Sequence, residues 1–143
     1  MKLILCQGDH ISSKLLALFM WSRWSHSAIY DDQTGLVYDT TFFGGGCKVT
    51  PYDQWARHYS TIEVRDIKLE RPYNEAVQWL EEQVGKPYDW TAVLGIGLHR
   101  DWQEDDRWFC SEHTESFISL FSTARFRTVF TPRITPQHQA MHV

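Results

Sequence analysis

The chain has 143 residues, 43% of them hydrophobic and 15% aromatic, and carries a formal net charge of −4. That length fits one domain, residues 1–143, around one core, and the apolar content argues against disorder. The acidic balance argues against a nucleic-acid partner, which would call for a basic excess.

Taken in chain order, the pattern predicts a mixed α+β domain. Residues 2–6 read as a short strand and Gln7-Gly8-Asp9 as a turn. Ile11, Leu15, Leu16, Leu18 and Phe19 recur at helical spacing, so residues 11–21 are expected to form a helix capped by Ser12 or Ser13. Residues 25–30 and 36–41 read as two strands joined by the turn Asp31–Gly35. Gly44-Gly45-Gly46 reads as a flexible break, and Thr50-Pro51 as the start of a short helix with Trp55 turned inward. Residues 61–68 read as a strand, and Arg71-Pro72 opens a helix that Gly85 ends. A short helix capped by Asp89 or Thr91 is expected through Leu98. The acidic stretch 101–106 reads as a solvated loop. The apolar run Phe117, Ile118, Leu120 and Phe121 predicts a helix headed by Cys110. Residues 126–130 read as a last strand, and Pro132 and Pro136 punctuate an irregular tail. The sum is an antiparallel sheet with helices beside it.

Three cysteines, Cys6, Cys47 and Cys110, are an odd number at wide spacing. A reducing, cytoplasmic setting is therefore expected rather than a disulfide framework. The opening Met1–Cys6 imitates a lipoprotein signal, but its apolar run is far shorter than the roughly 7–15 residues a secretory core needs. No stretch approaches the ~20 apolar residues of a membrane span, so a soluble protein without an export signal is expected.

Cys110 is the residue around which chemistry gathers. It stands at the entrance of its helix, where partial positive charge and free N–H groups stabilise a thiolate. His26, on a strand-like stretch far upstream, is a candidate base. Asp39 lies on the following strand. Counting outward from the turn sets it opposite residues 25–27, where its carboxylate could orient an imidazole. Each residue also has an ordinary reading: a small buried hydrophobe for Cys110, a structural histidine for His26, a turn cap or arginine partner for Asp39. Pattern and spacing do not decide between them. His113, three residues past Cys110 on nearly the same helix face, competes as the base. The Cys110-x-x-His113 spacing also raises a zinc site, but Cys6, His10, Cys47 and His99 supply no second paired motif, so neither metal nor cofactor is expected.

Four segments carry a family resemblance. They are Ser22-Arg23-Trp24-Ser25-His26-Ser27-Ala28-Ile29, then Val37-Tyr38-Asp39 before a glycine-rich turn, then Gly85-Lys86-Pro87-Tyr88-Asp89-Trp90, and finally Trp108-Phe109-Cys110-Ser111-Glu112. In this order they resemble the circularly permuted, YiiX-like branch of the NlpC/P60 superfamily of papain-like cysteine hydrolases, over most of the chain. The resemblance implies a single papain-like α+β domain in which the histidine strand precedes the cysteine helix. It implies Cys110 as nucleophile, His26 as base and Asp39 as third member of the site. It gives Glu112, with Ser111, a supporting role and sets Tyr88 in the cleft wall. Trp24 and Trp108, beside His26 and Cys110, are candidate substrate contacts. The implied activity is cleavage of an amide, peptide or isopeptide bond through a thioester. The alternatives are a lipid-directed thioesterase or acyltransferase on the same scaffold, and a binding module without turnover. The resemblance also associates the chain with bacteria and their phages.

Overall fold

The structure, a computed structural model, describes residues 1–8, 22–41, 45–89, 107–123, 126 and 134–141. Its centre is a five-stranded antiparallel sheet made of β1 (Lys2–Gln7), β2 (His26–Asp31), β3 (Leu36–Thr41), β4 (Gly46–Pro51) and β5 (Thr61–Asp66), in the spatial order β4-β3-β2-β1-β5. The helices are α1 (Tyr52–Trp55), followed by a 3-10 turn at Ala56–His58, then α2 (Tyr73–Gln83), α3 (Cys110–Phe121) and α4 (Pro136–Met141).

Both sheet faces are covered, which is why the inner strands β1, β2 and β3 are buried almost throughout. Side chains alternate between faces along a strand. Leu3, Leu5, Ile29 and Tyr38 therefore fall on one face, where they meet Ala76 and Leu80 of α2 and Phe117, Ile118 and Phe121 of α3. Ile4, Cys6, Ala28 and Val37 fall on the other, beneath Trp55 and beside Tyr52 and Tyr59. The second cluster is small, so α1 needs other anchors. Its first residue supplies one, the Tyr52 N–H donating to the Gly35 carbonyl at 2.9 Å.

Several elements differ from expectation. Gly46 does not belong to a flexible break but opens β4. It has φ +124°, and a Cβ there would collide with the Lys86 carbonyl oxygen. Only glycine admits this close approach, which the bonds Cys47 N–H to Lys86 O and Gly85 N–H to Cys47 O hold at 2.8 Å each. Pro51 closes that strand and caps α1 rather than starting the helix. Pro136 opens α4, where its fixed φ suits the first turn, so this part of the tail is helical. Leu120, counted in the apolar run of α3, is 46% exposed. The expected helices at 11–21 and 91–98, the loop at 101–106, all but Phe126 of the strand expected at 126–130, and Pro132 lie outside the described residues, as do His10 and His99; Phe126 itself is in a bend.

Candidate functional site

The chain enters β2 through a serine-held turn. Ser22 Oγ donates to the Trp24 carbonyl at 2.6 Å and accepts from the Trp24 N–H at 3.0 Å. Ser25 then grips the neighbouring strand, its N–H and hydroxyl both bonding the Cys6 carbonyl while Oγ receives the Gly8 N–H. His26 follows as the first residue of β2, directly across from Cys6. The turn and the pairing together leave the imidazole little freedom in where its backbone sits.

Asp39 arrives from β3. The register sets it opposite Ala28, not opposite residues 25–27 as expected, because the hairpin pairs Asp31 with Leu36 and so closes one residue later. The shift does not separate the two side chains. His26 and Ala28 are two residues apart and share a face, so Asp39 reaches His26 diagonally. His26 Nε2 lies 3.4 Å from Asp39 Oδ2, longer than a well-formed N–H···O bond. The same oxygen accepts the Trp55 indole N–H at 2.8 Å.

Cys110 comes from the other end of the sequence. Its helix is docked on β2 one turn beyond the thiol. Thr114 Oγ1 lies 3.2 Å from Ser27 Oγ, donates back to the Cys110 carbonyl at 3.1 Å, and receives Gln139 Nε2 of α4 at 2.7 Å. Ser27 follows His26 and Thr114 is four residues past Cys110, so this hydroxyl pair sets the head of α3 against the start of β2. The thiol and the imidazole are paired side chain to side chain. Ser111 Oγ bonds the Ile134 carbonyl at 2.5 Å, fastening the first turn of α3 to the chain before α4.

The electrostatics follow from this packing. Burial pushes the Cys110 thiol up, but the bond to His26, the charge of its imidazolium and the backbone N–H groups of Ser27 and Ser111 outweigh it, so the thiol sits below its ordinary value. The N-cap of the helix is Phe109, which makes no side-chain capping bond, and the Ser111 N–H is among the groups that hold the sulfur. Burial would likewise lower His26, yet Asp39 and Cys110 raise it from 6.5 to about 9. The other thiols behave oppositely. Burial pushes Cys47 up to about 11 and Cys6 well above the usual range.

The remaining sequence candidates separate. Tyr88 forms a single parallel bridge with Trp108, and burial, with the charge of Cys110 next, raises its hydroxyl well above the ordinary value. Trp108 is half-buried and held toward α2, its Nε1 donating to Gln83 Oε1 at 3.3 Å with the Lys86 ammonium 5.5 Å from its ring. Trp24 is 4% exposed, in the cluster with Leu5 and Phe117 that follows the Ser22 turn. Burial raises Glu112 to about 8, against a backbone bond from Phe109 and with the Asp89 carboxylate nearby. His113 turns to other partners. Its Nε2 lies 3.9 Å from Cys47 Sγ, its ring stacks on Trp79, and burial lowers it to about 4. Sequence reasoning missed three neighbours: Cys6, the hydrogen-bonding role of Trp55, and Tyr59, whose ring stacks on His26 at 5.8 Å and 2°. Among the described residues, no group of three or more His, Cys, Asp or Glu side chains could hold a metal ion, and no helix is long and apolar enough to cross a membrane.

No protein-family model matches the chain, and no curated protein does. Among solved structures it is similar to the crystal structure of the metalloprotein YiiX from Escherichia coli O157:H7, of the DUF1105 family. The TM-score is 0.61 at 23% identity, over 98% of this chain and 77% of that one. At this identity the likeness is one of fold, and it fits a papain-like α+β arrangement with the histidine strand ahead of the cysteine helix.

Proposed function

We propose that the chain is a thiol-dependent hydrolase that cleaves an amide or peptide bond through a thioester on Cys110, with His26 as base and Asp39 as its orienting carboxylate. One observation carries this reading: at the head of α3 the Cys110 thiol interacts with His26, which lowers the thiol, while Asp39, 3.4 Å from the imidazole, and Cys110 together raise His26. A thiolate–imidazolium pair of this kind is the resting state of a cysteine nucleophile. The fold shared with YiiX is compatible with it.

In the first step Cys110 sulfur attacks the substrate carbonyl carbon, and the carbonyl π electrons move to oxygen. The oxyanion forms near the head of α3, where backbone N–H groups would receive it; one such donor is typically worth about 3–4 kcal/mol. His26, holding the former thiol proton, gives it to the leaving amine as the C–N bond breaks. Water then attacks the thioester, transferring a proton to His26, and the acid departs as the Cys110 thiolate returns.

YiiX is described as a metalloprotein. Among the described residues the donor set here does not make a metal site, and no step is routed through one. The test is labelling by iodoacetamide across pH, with the adduct located by mass spectrometry. Cys110 should react well below pH 8 and far faster than Cys6 or Cys47. Turnover should then be compared on peptidyl amides, peptidoglycan fragments and acyl thioesters, for the unaltered protein and Cys110→Ser. Peptidase or amidase activity lost in the serine variant supports the reading. Activity confined to acyl thioesters would move it to the lipid-directed alternative, and activity that survives Cys110→Ser would overturn both.

A further inference from the structure

Asp39 Oδ2 serves two donors. Trp55 Nε1–H reaches it at 2.8 Å, and His26 Nε2 stands at 3.4 Å. The other carboxylate oxygen, Oδ1, is buried with no hydrogen-bond partner among the described residues. Asp39 itself is 1% exposed and so is screened from bulk solvent. The indole N–H is therefore the well-formed bond that fixes how the carboxylate is turned. The indole is in turn fixed from several sides. It is 2% exposed, α1 is pinned by Tyr52 N–H to Gly35 O, and Tyr59 packs on it at 4.4 Å between ring centres.

We propose that Trp55 is a positioning residue of the site, its indole N–H holding the Asp39 carboxylate in the orientation from which it aligns His26 toward Cys110. The proposal rests on the reading of His26 and Cys110 given above. Its logic is that of an outer partner that orients the residue orienting the base. A core tryptophan that only fills space would leave Asp39 free to rotate about its terminal torsion, which is broad for an aspartate. With the N–H in place, that rotation breaks a buried hydrogen bond.

The groups facing His26 are Asp39 from β3, Cys110 from α3 and the ring of Tyr59 after the 3-10 turn, with Cys6 across on β1 and His113 further along α3. Any of them can move its titration, so the test must change the N–H alone. The cleanest change replaces Trp55 by 3-benzothienylalanine, which keeps the two fused rings but carries sulfur where the indole has N–H. The His26 titration is followed by NMR of its labelled imidazole, and Cys110 reactivity by alkylation across pH. We expect the variant to keep its far-UV spectrum, the His26 midpoint to fall by about one pH unit, and Cys110 alkylation at neutral pH to slow about tenfold. Trp55→Phe should change both in the same direction. A midpoint that stays or rises in a folded variant would overturn the proposal, since an idle or merely screening indole would do that. A second measurement needs no change at position 55. In the unaltered protein, the Trp55 indole N–H resonance should shift with the same midpoint as His26; a resonance that stays still through that titration refutes the link. Both readouts follow the imidazole whether or not a substrate is turned over, so failure of the hydrolase reading and failure of this one are distinguishable.

Discussion

Replacing Asp39 with asparagine removes a charge from the site while keeping its shape. The carboxamide of the Asp39→Asn variant retains an oxygen able to accept from Trp55 and from His26, so the geometry at 2.8 and 3.4 Å has no steric reason to change. What changes is the electrostatic support of the imidazolium. His26 stands at about 9 against an ordinary 6.5. At about 1.36 kcal/mol per pH unit, that difference corresponds to about 3 kcal/mol in favour of the charged ring, net of the opposing burial. Asp39 and Cys110 both contribute, and a neighbouring opposite charge typically moves a titration by about 1–3 pH units. Losing one of the two should therefore lower the His26 midpoint by about 1–2 pH units. The thiolate is coupled to the same imidazolium, so Cys110 alkylation at pH 7 should slow roughly 10- to 30-fold. The assay is iodoacetamide labelling from pH 5 to 10 with adducts assigned by mass spectrometry. Cys6 and Cys47, both pushed upward by burial, serve as internal references that stay slow below pH 8. An Asp39→Asn profile superimposed on that of the unaltered protein would refute the claim that this carboxylate sustains the ion pair.

Other consequences are open to measurement. His26→Ala should return Cys110 to the behaviour of a buried thiol, with alkylation at pH 7 reduced roughly 100-fold or more; an unchanged rate would show that another group supports the sulfur. Glu112 is raised from 4.5 to about 8, so its contribution to stability is full below pH 4.5 and is lost as pH rises through 8. Glu112→Gln should accordingly stabilise the fold above pH 8, by on the order of 2 kcal/mol in urea unfolding, with little gain at pH 4. His113 has the opposite sign. Lowered to about 4, it supports the fold fully above pH 6.5 and withdraws that support as pH falls through 4, so His113→Gln should flatten the stability loss across that interval. Gly46→Ala should destabilise by about 1–3 kcal/mol in thermal melts, because a Cβ there meets the Lys86 carbonyl and the residue holds φ +124°.

Much of the fold was legible because its signals are local. The strands around Leu5, Ile29 and Tyr38 show in their β-branched and aromatic residues, the turn in Gly35, the close of α2 in Gly85, and the head of α3 in the apolar run behind Cys110. β4 was not legible. Its first residue is a glycine that reads as a break, and what makes it a strand is its antiparallel pairing with β3 from Leu36 to Thr41, with Cys47 also bonded to Gly85 and Lys86 far along the chain. The register of Asp39 was off by one, since turn composition does not fix how many residues the turn spans. Trp24 stood out as a candidate substrate contact through its adjacency to His26. Its side chain, however, is carried by the Ser22 turn into the core, because adjacency in sequence does not set two side chains on the same side of the chain.

The sequence by itself determined which residues have the chemistry: a thiol at a helix entrance, an imidazole on a strand, an acid on the next. These are properties of residue type and local spacing. Only the tertiary structure decided that they meet. The pairing of Ser27 with Thr114 brings the head of α3 to the start of β2, across 87 positions of chain. It also decided their ionisation, because the direction of each shift is set by burial against charged partners that come from other elements of the fold. Trp55 belongs wholly to the second category. As a letter it is one more large apolar side chain, and it acquires a role only where its single N–H finds the Asp39 carboxylate.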